Sequence, residues 1–250
     1  MSIAERKAHF RQVAINIVVS VSGVTLLHHR PVLCAVVMGL LFLHITRLWN
    51  RRRDFCVAGV GLVAGVILEF VATGSGLWKY THATVAGVPA WVFTLWPVFM
   101  IGLPRLAETM MQAAEETSTD FLSRGAMGGL ILLLEIPLLV LWGNSRPWLL
   151  TTLTIAGLVA VVAISRSRLV LSMTFIAAGC GAMAELFPVY VGAWSYPEGV
   201  FFGLPPWIPT GYALFGLGVA NLGFAIDGAL QLATQSSARE MGAATLNRTN

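Results

Sequence analysis

Glu69 and Glu185 are carboxylic acids set inside apolar runs, residues 66–71 and 183–187, at matching places 116 positions apart. An acid in such surroundings can be held uncharged, and can then donate a proton or a hydrogen bond. Charge is costly enough in lipid that an acid within a membrane segment is a functional candidate from the outset. A third acid, Glu135, lies in the middle of another apolar run (Leu134-Glu135-Ile136-Pro137), and position 19, 116 residues earlier, holds valine. Each repeated acid opens one phrase. Glu69, Gly76, Trp78, Tyr80, Gly87, Pro89, Trp91, Thr94, Phe99 and Gly102 recur as Glu185, Gly192, Trp194, Tyr196, Gly203, Pro205, Trp207, Thr210, Phe215 and Gly218. The chemistry this combination offers is acid–base. A neutral Glu69, Glu185 or Glu135 is a candidate catalytic acid able to protonate an alkene. The rings of Trp78, Tyr80, Trp91, Trp194, Tyr196 and Trp207 are candidates for holding an apolar substrate and stabilising a cation formed from it. The competing structural reading is that each glutamate hydrogen-bonds its own loop and holds it down. Duplication favours neither, because a brace recurs as readily as an active site.

The elements that position these residues are membrane helices. The chain is 56% hydrophobic and 11% charged, against about 25% charge in soluble domains, and its mean hydropathy is +0.76. No room remains for a soluble catalytic domain. A span needs about 20 mostly apolar residues, and eight segments approach this: 12–28, 32–48, 55–73, 90–108, 126–143, 147–164, 168–188 and 206–232. The first follows Arg6, Lys7 and Arg11 and lacks a small-x-small cleavage site, so it reads as a retained span rather than a signal peptide.

Ten identities in 34 positions, where composition alone would give roughly two or three, make the chain two copies of one module. Weaker matches extend upstream: Arg30-Pro31 with Arg146-Pro147, Arg52 with Arg168, Gly65 with Gly181. The expected fold is an all-α polytopic membrane protein of about eight transmembrane helices in two tandem four-helix repeats. An even number of spans returns the chain to its starting side, so a pseudo-two-fold along the membrane normal relates the repeats. The divisions are 1–104 for the first module, 105–125 for a linker containing Glu108, Glu115, Glu116 and Asp120, 126–232 for the second module, and 233–250 for a disordered tail.

Orientation follows from the basic residues. With both termini inside, thirteen lie on the inner side (Arg6, Lys7, Arg11, Arg47, Arg51, Arg52, Arg53, Arg105, Arg124, Arg166, Arg168, Arg239 and Arg248) and three outside (Arg30, Lys79 and Arg146). The expected location is a bacterial cytoplasmic (inner) membrane with both termini in the cytoplasm, which places both aromatic loops outside. No nucleotide-binding glycine loop, metalloprotease motif, histidine box or serine elbow occurs. Cys34, Cys56 and Cys180 are isolated, and His44 has no partner at metal spacing, so no metal and no cofactor are expected. His28, His29 and His82 read as outer-surface residues, Gly125-Ala126-Met127-Gly128-Gly129 as close helix packing, and Asn221 and Asp227 as polar groups within the last span.

The loop resembles that of the small integral-membrane carotenoid and terpenoid cyclases, particularly lycopene-cyclase domains found as tandem or paired modules. The residues that carry the likeness are Trp78, Tyr80, Gly87 and Pro89, and again Trp194, Tyr196, Gly203 and Pro205, about 15 residues per module. That resemblance implies an intramembrane enzyme that cyclises or hydrates an isoprenoid without a cofactor. The family's paired glutamates follow the proline closely, whereas Ala90-Trp91 and Pro206-Trp207 stand there in this chain. The same loop is similar to those of uncharacterised multispan bacterial membrane proteins.

Three functions are therefore in competition. One is an enzyme acting on an apolar isoprenoid. Another is an accessory or scaffold subunit of a membrane complex. The third is a transporter of lipid or small molecules, whose two modules rock about their shared axis. The expected partners are a membrane lipid or apolar small molecule and, for a scaffold, another membrane protein or further copies of the chain. Nucleic acid is not expected.

Overall fold

The computed structural model describes residues 3–48, 51–111 and 121–248. Glu115, Glu116 and Asp120 of the linker lie outside them, as do the side chains of Arg6, Arg239 and Arg248. Eight helices are present among the described residues: α1 (Ile3–Leu27), α2 (Pro31–Leu48), α3 (Arg52–Gly74), α4 (Val92–Met111), α5 (Phe121–Trp142), α6 (Pro147–Ser165), α7 (Arg168–Tyr190) and α8 (Ile208–Arg248). Two short strands, β1 (Lys79–Tyr80) and β2 (Trp194–Ser195), follow α3 and α7. Prolines 31 and 147 open α2 and α6, where a missing N–H costs nothing. Arg166 in a left-handed conformation ends α6, and the Ser167 hydroxyl accepts from the Val170 amide to begin α7.

The protein is an all-α polytopic membrane protein. Among the described residues, seven helices are long and apolar enough to cross a membrane. The eighth, α4, falls short because it holds Pro97, Pro104, Arg105 and Glu108. It can carry them because its surface is enclosed by protein: Val92, Trp96, residues 98–103, Arg105 and Ala107 are all buried. The outward faces of other helices carry Val18, Leu40, Leu133, Ile164 and Phe175, an apolar exterior suited to lipid.

The main helix contacts in one repeat have counterparts in the other, although α6 touches α7 more closely than α2 touches α3. Helix α4 packs on α3, α7, α1 and α2; α8 packs on α7, α3, α5 and α6. Even the lesser contact of α1 with α7 is matched by α5 with α3. Helices α3, α4, α7 and α8 thus form the centre, flanked by one helix pair from each repeat. The two strands pair antiparallel with Lys79 opposite Ser195. These two residues occupy the same place in the repeat, so the pseudo-two-fold passes between them. Both loops lie at one end of the bundle, which sets the axis along the helices.

Helix ends depart from the sequence reading in two places. Helix α8 runs on to Arg248, so residues 233–248 are helical rather than a disordered tail. Ala, Gln, Arg, Glu and Met dominate there, and all favour helix. The expected linker begins inside α4 and ends inside α5.

Helices α5 and α8 meet backbone to backbone. A Cβ on Gly128 would lie 2.7 Å from both the Gly218 oxygen and the Leu222 nitrogen, and one on Gly125 would lie 3.1 Å from the Ala225 Cβ. Within the glycine cluster a Cβ on Gly129 would meet nothing, whereas Gly125 and Gly128 therefore face a packing surface. Alanine normally favours helix over glycine by about 1 kcal/mol, but here its methyl would strike rigid main chain. Gly128→Ala is expected to lower stability by about 1–3 kcal/mol, read as a reduced unfolding midpoint in detergent. An unchanged or raised midpoint would mean that these helices can separate freely.

Candidate functional site

Each repeated glutamate is 5–6% exposed and is surrounded by three donors. Trp78 Nε1 and the Tyr80 hydroxyl donate to Glu69 Oε2 at 3.1 and 2.8 Å, and Trp96 Nε1 donates to Oε1 at 3.2 Å. In the second repeat Trp194 Nε1 and the Tyr196 hydroxyl donate to Glu185 Oε2, both at 2.7 Å, and the Tyr212 hydroxyl donates to Oε1 at 2.5 Å. The first two donors come from the loop after the acid's own helix. The third comes from the next helix, at positions 96 and 212, which correspond although one is Trp and the other Tyr. Burial, followed by the adjacent carboxyl groups, holds the loop phenols of Tyr80 and Tyr196 well above the ordinary tyrosine range, so both remain donors.

The loops have matching backbones. Gly76 and Gly192 have φ of 74° and 77°, Gly87 and Gly203 of 85° and 83°, and the non-glycine pair Ala86 and Phe202 of 46° and 51°. Residues 86–87 and 202–203 are two-residue hairpin tips with both φ angles positive, closed by the bridges Val85–Val88 and Phe201–Leu204. Such a tip explains why the phrase requires Gly at 87 and 203. The hairpin returns the chain so that Trp91 and Trp207 stand edge-on to Tyr80 and Tyr196, with centroids 5.7 and 6.2 Å apart. Across the axis Trp78 meets Tyr196 at 5.8 Å and Tyr80 meets Trp194 at 5.5 Å, both at 63°. The six aromatic residues expected to bind substrate therefore form two matching trios, Trp78 with Tyr196 and Trp207, and Trp194 with Tyr80 and Trp91, and four of the six are hydrogen-bonded to the glutamates.

Glu135 differs from both. It is 3% exposed, and neither carboxyl oxygen has a hydrogen-bond partner. It lines a cavity of about 40 Å³ together with Glu69, Trp78, Tyr80, Glu185, Tyr196, Trp207 and Tyr212. The three acids named from the sequence thus share one region. Glu135 corresponds in structure to Ser20 rather than to Val19. The buried positions of α1 (Val13, Asn16, Ser20, Val24) recur on α5 (Gly128, Ile131, Glu135, Leu139) at a spacing of 115. The shift arises because the connection after α5 is one residue longer than that after α1: four residues, 143–146, against three, 28–30.

Among the described residues, the other acidic, amide and histidine groups named from the sequence have structural partners, whereas the buried Trp91 Nε1 and Asn16 Nδ2 have none. Asp227 pairs with Arg52 at 2.6 Å and accepts from Gln231. Asn221 donates to the Leu217 carbonyl, and His44 is 3.2 Å from Gln12. His28 sits beside His29 and His82. The sequence reading missed a buried ion pair at the opposite end of the bundle from the loops, where Arg105 makes two hydrogen bonds to Asp54 and Glu108 meets Arg53 at 2.5 Å. It also missed Trp96 and Tyr212. Comparing the copies by donor capacity rather than identity would have found that pair. Among the described residues no group of His, Cys, Asp and Glu is arranged to hold a metal ion.

Comparison with known proteins agrees with a multispan fold. Residues 18–119 match the model of a protein family of unknown function, DUF2878. No curated protein matches the chain. The crystal structure of MvINS, a mycobacterial Insig homolog from Mycobacterium vanbaalenii, is similar with a TM-score of 0.59 at 19% identity, over 68% of this chain and 92% of that one. A cross-linked MvINS trimer gives a TM-score of 0.57 at 18% identity, over 70% and 94%. At these identities the likeness is one of fold.

Proposed function

We propose that this chain is an accessory or scaffold subunit of a membrane assembly. The observation that carries this reading is the saturation of the repeated acids. Glu69 and Glu185 each accept three hydrogen bonds from their own repeat. A carboxylate so occupied is poorly placed to transfer a proton and well placed to hold a loop. The most repeated feature of the chain is then a brace that keeps both loops rigid, and the surface left to work with is the apolar exterior. Its partner is another membrane protein or further copies of itself; the crosslinked trimer of the structurally similar MvINS makes the second option concrete. The basic residues at the inner helix ends favour a bacterial cytoplasmic membrane with both termini inside.

The test is native mass spectrometry of the protein purified in mild detergent, with identification of co-purified proteins and lipids. A stoichiometric protein partner or a defined oligomer is expected. A monomer carrying a defined isoprenoid would overturn the reading.

One observation favours a second reading, the intramembrane isoprenoid cyclase or hydratase implied by the loop resemblance. Glu135 is an acid with no hydrogen-bond donor, facing aromatic rings. In that reading Glu135 is the proton donor, with Trp207 and Tyr196 against the substrate. Turnover of an isoprenoid by the pure protein, abolished in Glu135→Gln while the fold survives, would establish it.

A further inference from the structure

Two cavities, each of about 40 Å³, flank the central glutamates and are related by the pseudo-two-fold. Both are lined by Glu69, Glu185, Tyr80, Trp96 and Tyr212. The first is completed by Ser20 on α1 and by Leu95 on α4. The second has Glu135 on α5 and Gly211 on α8 at the corresponding places. Ser20 is satisfied within its own helix, donating to the Asn16 carbonyl at 2.8 Å. Glu135 has no donor at either oxygen. Leu95 lines the first cavity, and at its place in the second Gly211 brings only backbone, although the two volumes are alike. A Cβ built on Gly211 would lie 3.6 Å from Glu135 Oε1 and 3.4 Å from Trp207 Cε3. The second repeat has therefore gained a buried acid and lost the side chain in front of it.

The lining also carries acids and no basic side chain. Glu69, Glu135 and Glu185 contribute three carboxyl groups, and no Lys, Arg or His lines the cavity. The side-chain donors from Trp78, Tyr80, Trp96, Tyr196 and Tyr212 are already engaged with Glu69 and Glu185, and that of Trp207 with the Gly143 carbonyl. An unpaired polar group in apolar surroundings costs several kcal/mol in free energy, and an unpaired charge costs far more. A molecule suited to this space brings a positive charge, at least one N–H donor for Glu135, and carbon that can lie against aromatic faces. A metal ion does not suit it, since the acids are not grouped for ligation. An alcohol supplies a donor but no charge.

We propose that the Glu135 cavity is a binding site for a small protonated amine, whose N–H groups meet the Glu135 carboxyl and whose carbon lies against Trp207 and Tyr212. This goes beyond the scaffold reading and stands whether or not the chain assembles with a partner. The cavity admits only a few heavy atoms, so the ligand is a short free amine or the amino head of an amphiphile.

The experiment titrates the purified full-length protein, in an uncharged detergent at fixed ionic strength, with butylammonium, octadecylamine, tetramethylammonium and butanol. Tryptophan fluorescence and thermal unfolding are the readouts, because Trp78, Trp96 and Trp207 line the cavity. Saturable binding of a primary amine is expected, weakened about tenfold or more in Glu135→Gln through loss of a charged hydrogen bond. Gly211→Ala narrows the same space with only ordinary contacts, so it should fold and show the same weakening with Glu135 intact. Binding by both butylammonium and octadecylamine assigns a free amine, and binding by octadecylamine alone assigns an amphiphile head; either supports the site. Equal binding of butanol or tetramethylammonium, affinity unchanged in both variants, or no saturable response to either primary amine would overturn it.

Discussion

Glu185→Ala should release the loop after α7 and lower stability by about 3 kcal/mol or more. The substitution removes one acceptor group but orphans three buried donors, on Trp194, Tyr196 and Tyr212. A buried donor left unpaired costs about 1–3 kcal/mol, and the methyl left behind adds a cavity. Glu69→Ala should act in the same direction but more weakly. Its third donor is an indole at 3.2 Å, where Glu185 has a phenol at 2.5 Å. Glutamine at either site keeps the volume and one acceptor oxygen, so its effect should be smaller than that of alanine. Chemical unfolding in detergent gives the magnitudes, and the emission of Trp78 and Trp194 reports whether each loop has opened. The two substitutions should not add, because the loops share the aromatic contacts across the axis. If both alanine variants retain full stability, the glutamates do not brace the loops, and the scaffold reading loses its main support.

The second large effect is expected at the other end of the bundle. Asp54 and Arg105 are 7% and 5% exposed and join α3 to α4 through two hydrogen bonds. Removing one partner leaves a buried charge, which costs about 3–5 kcal/mol in comparable pairs. Asp54→Ala should approach the lower end, because Glu108 also lies 3.6 Å from Arg105 and offsets part of the charge. Replacing both residues, Asp54→Leu with Arg105→Met, should recover most of the loss, since a well-packed apolar pair avoids desolvating two ions. A double-substituted protein no more stable than Asp54→Ala alone would show that the pair holds α3 and α4 in register in a way that packing cannot replace.

Much of the fold was legible in the chain. Helix positions follow from apolar length, and the repeat follows from the phrase headed by Glu69 and Glu185, because rare residue types at fixed spacing leave little room for chance. The phrase singled out Trp78, Tyr80, Trp91, Trp194, Tyr196 and Trp207, but did not disclose that the two copies meet across the axis, because spacing within a repeat carries no information on contacts between repeats. The partners of the glutamates were harder to see. Trp96 and Tyr212 do the same work with different side chains, so identity conceals them. The burial of α4 was hidden because a helix enclosed by protein can carry Arg105 and Pro104 without regard to lipid. The counterpart of Glu135 was misplaced by one position because a single added residue in the connection after α5 moves an entire helix face. Gly211 gave no signal, since the absence of a side chain acquires meaning only beside the carboxyl it leaves uncovered.

The pairing of Lys79 with Ser195 bears on the order in which the chain can assemble. The bonds to Glu69 come from residues 9, 11 and 27 positions away, and those to Glu185 have the same separations. Loops of that length close with little entropic penalty, so each brace can form as soon as its own repeat is in the membrane. The strand pair instead joins residues 114 and 116 apart, and α8, made after the other seven helices, supplies the wall facing α3, α5, α6 and α7. During synthesis the first repeat therefore holds a finished loop with an unpaired strand edge until the second arrives. That interval is when a neighbouring copy of the same chain can occupy the edge, and the covalent join between the repeats, by raising the local concentration of the correct partner, is what shortens it.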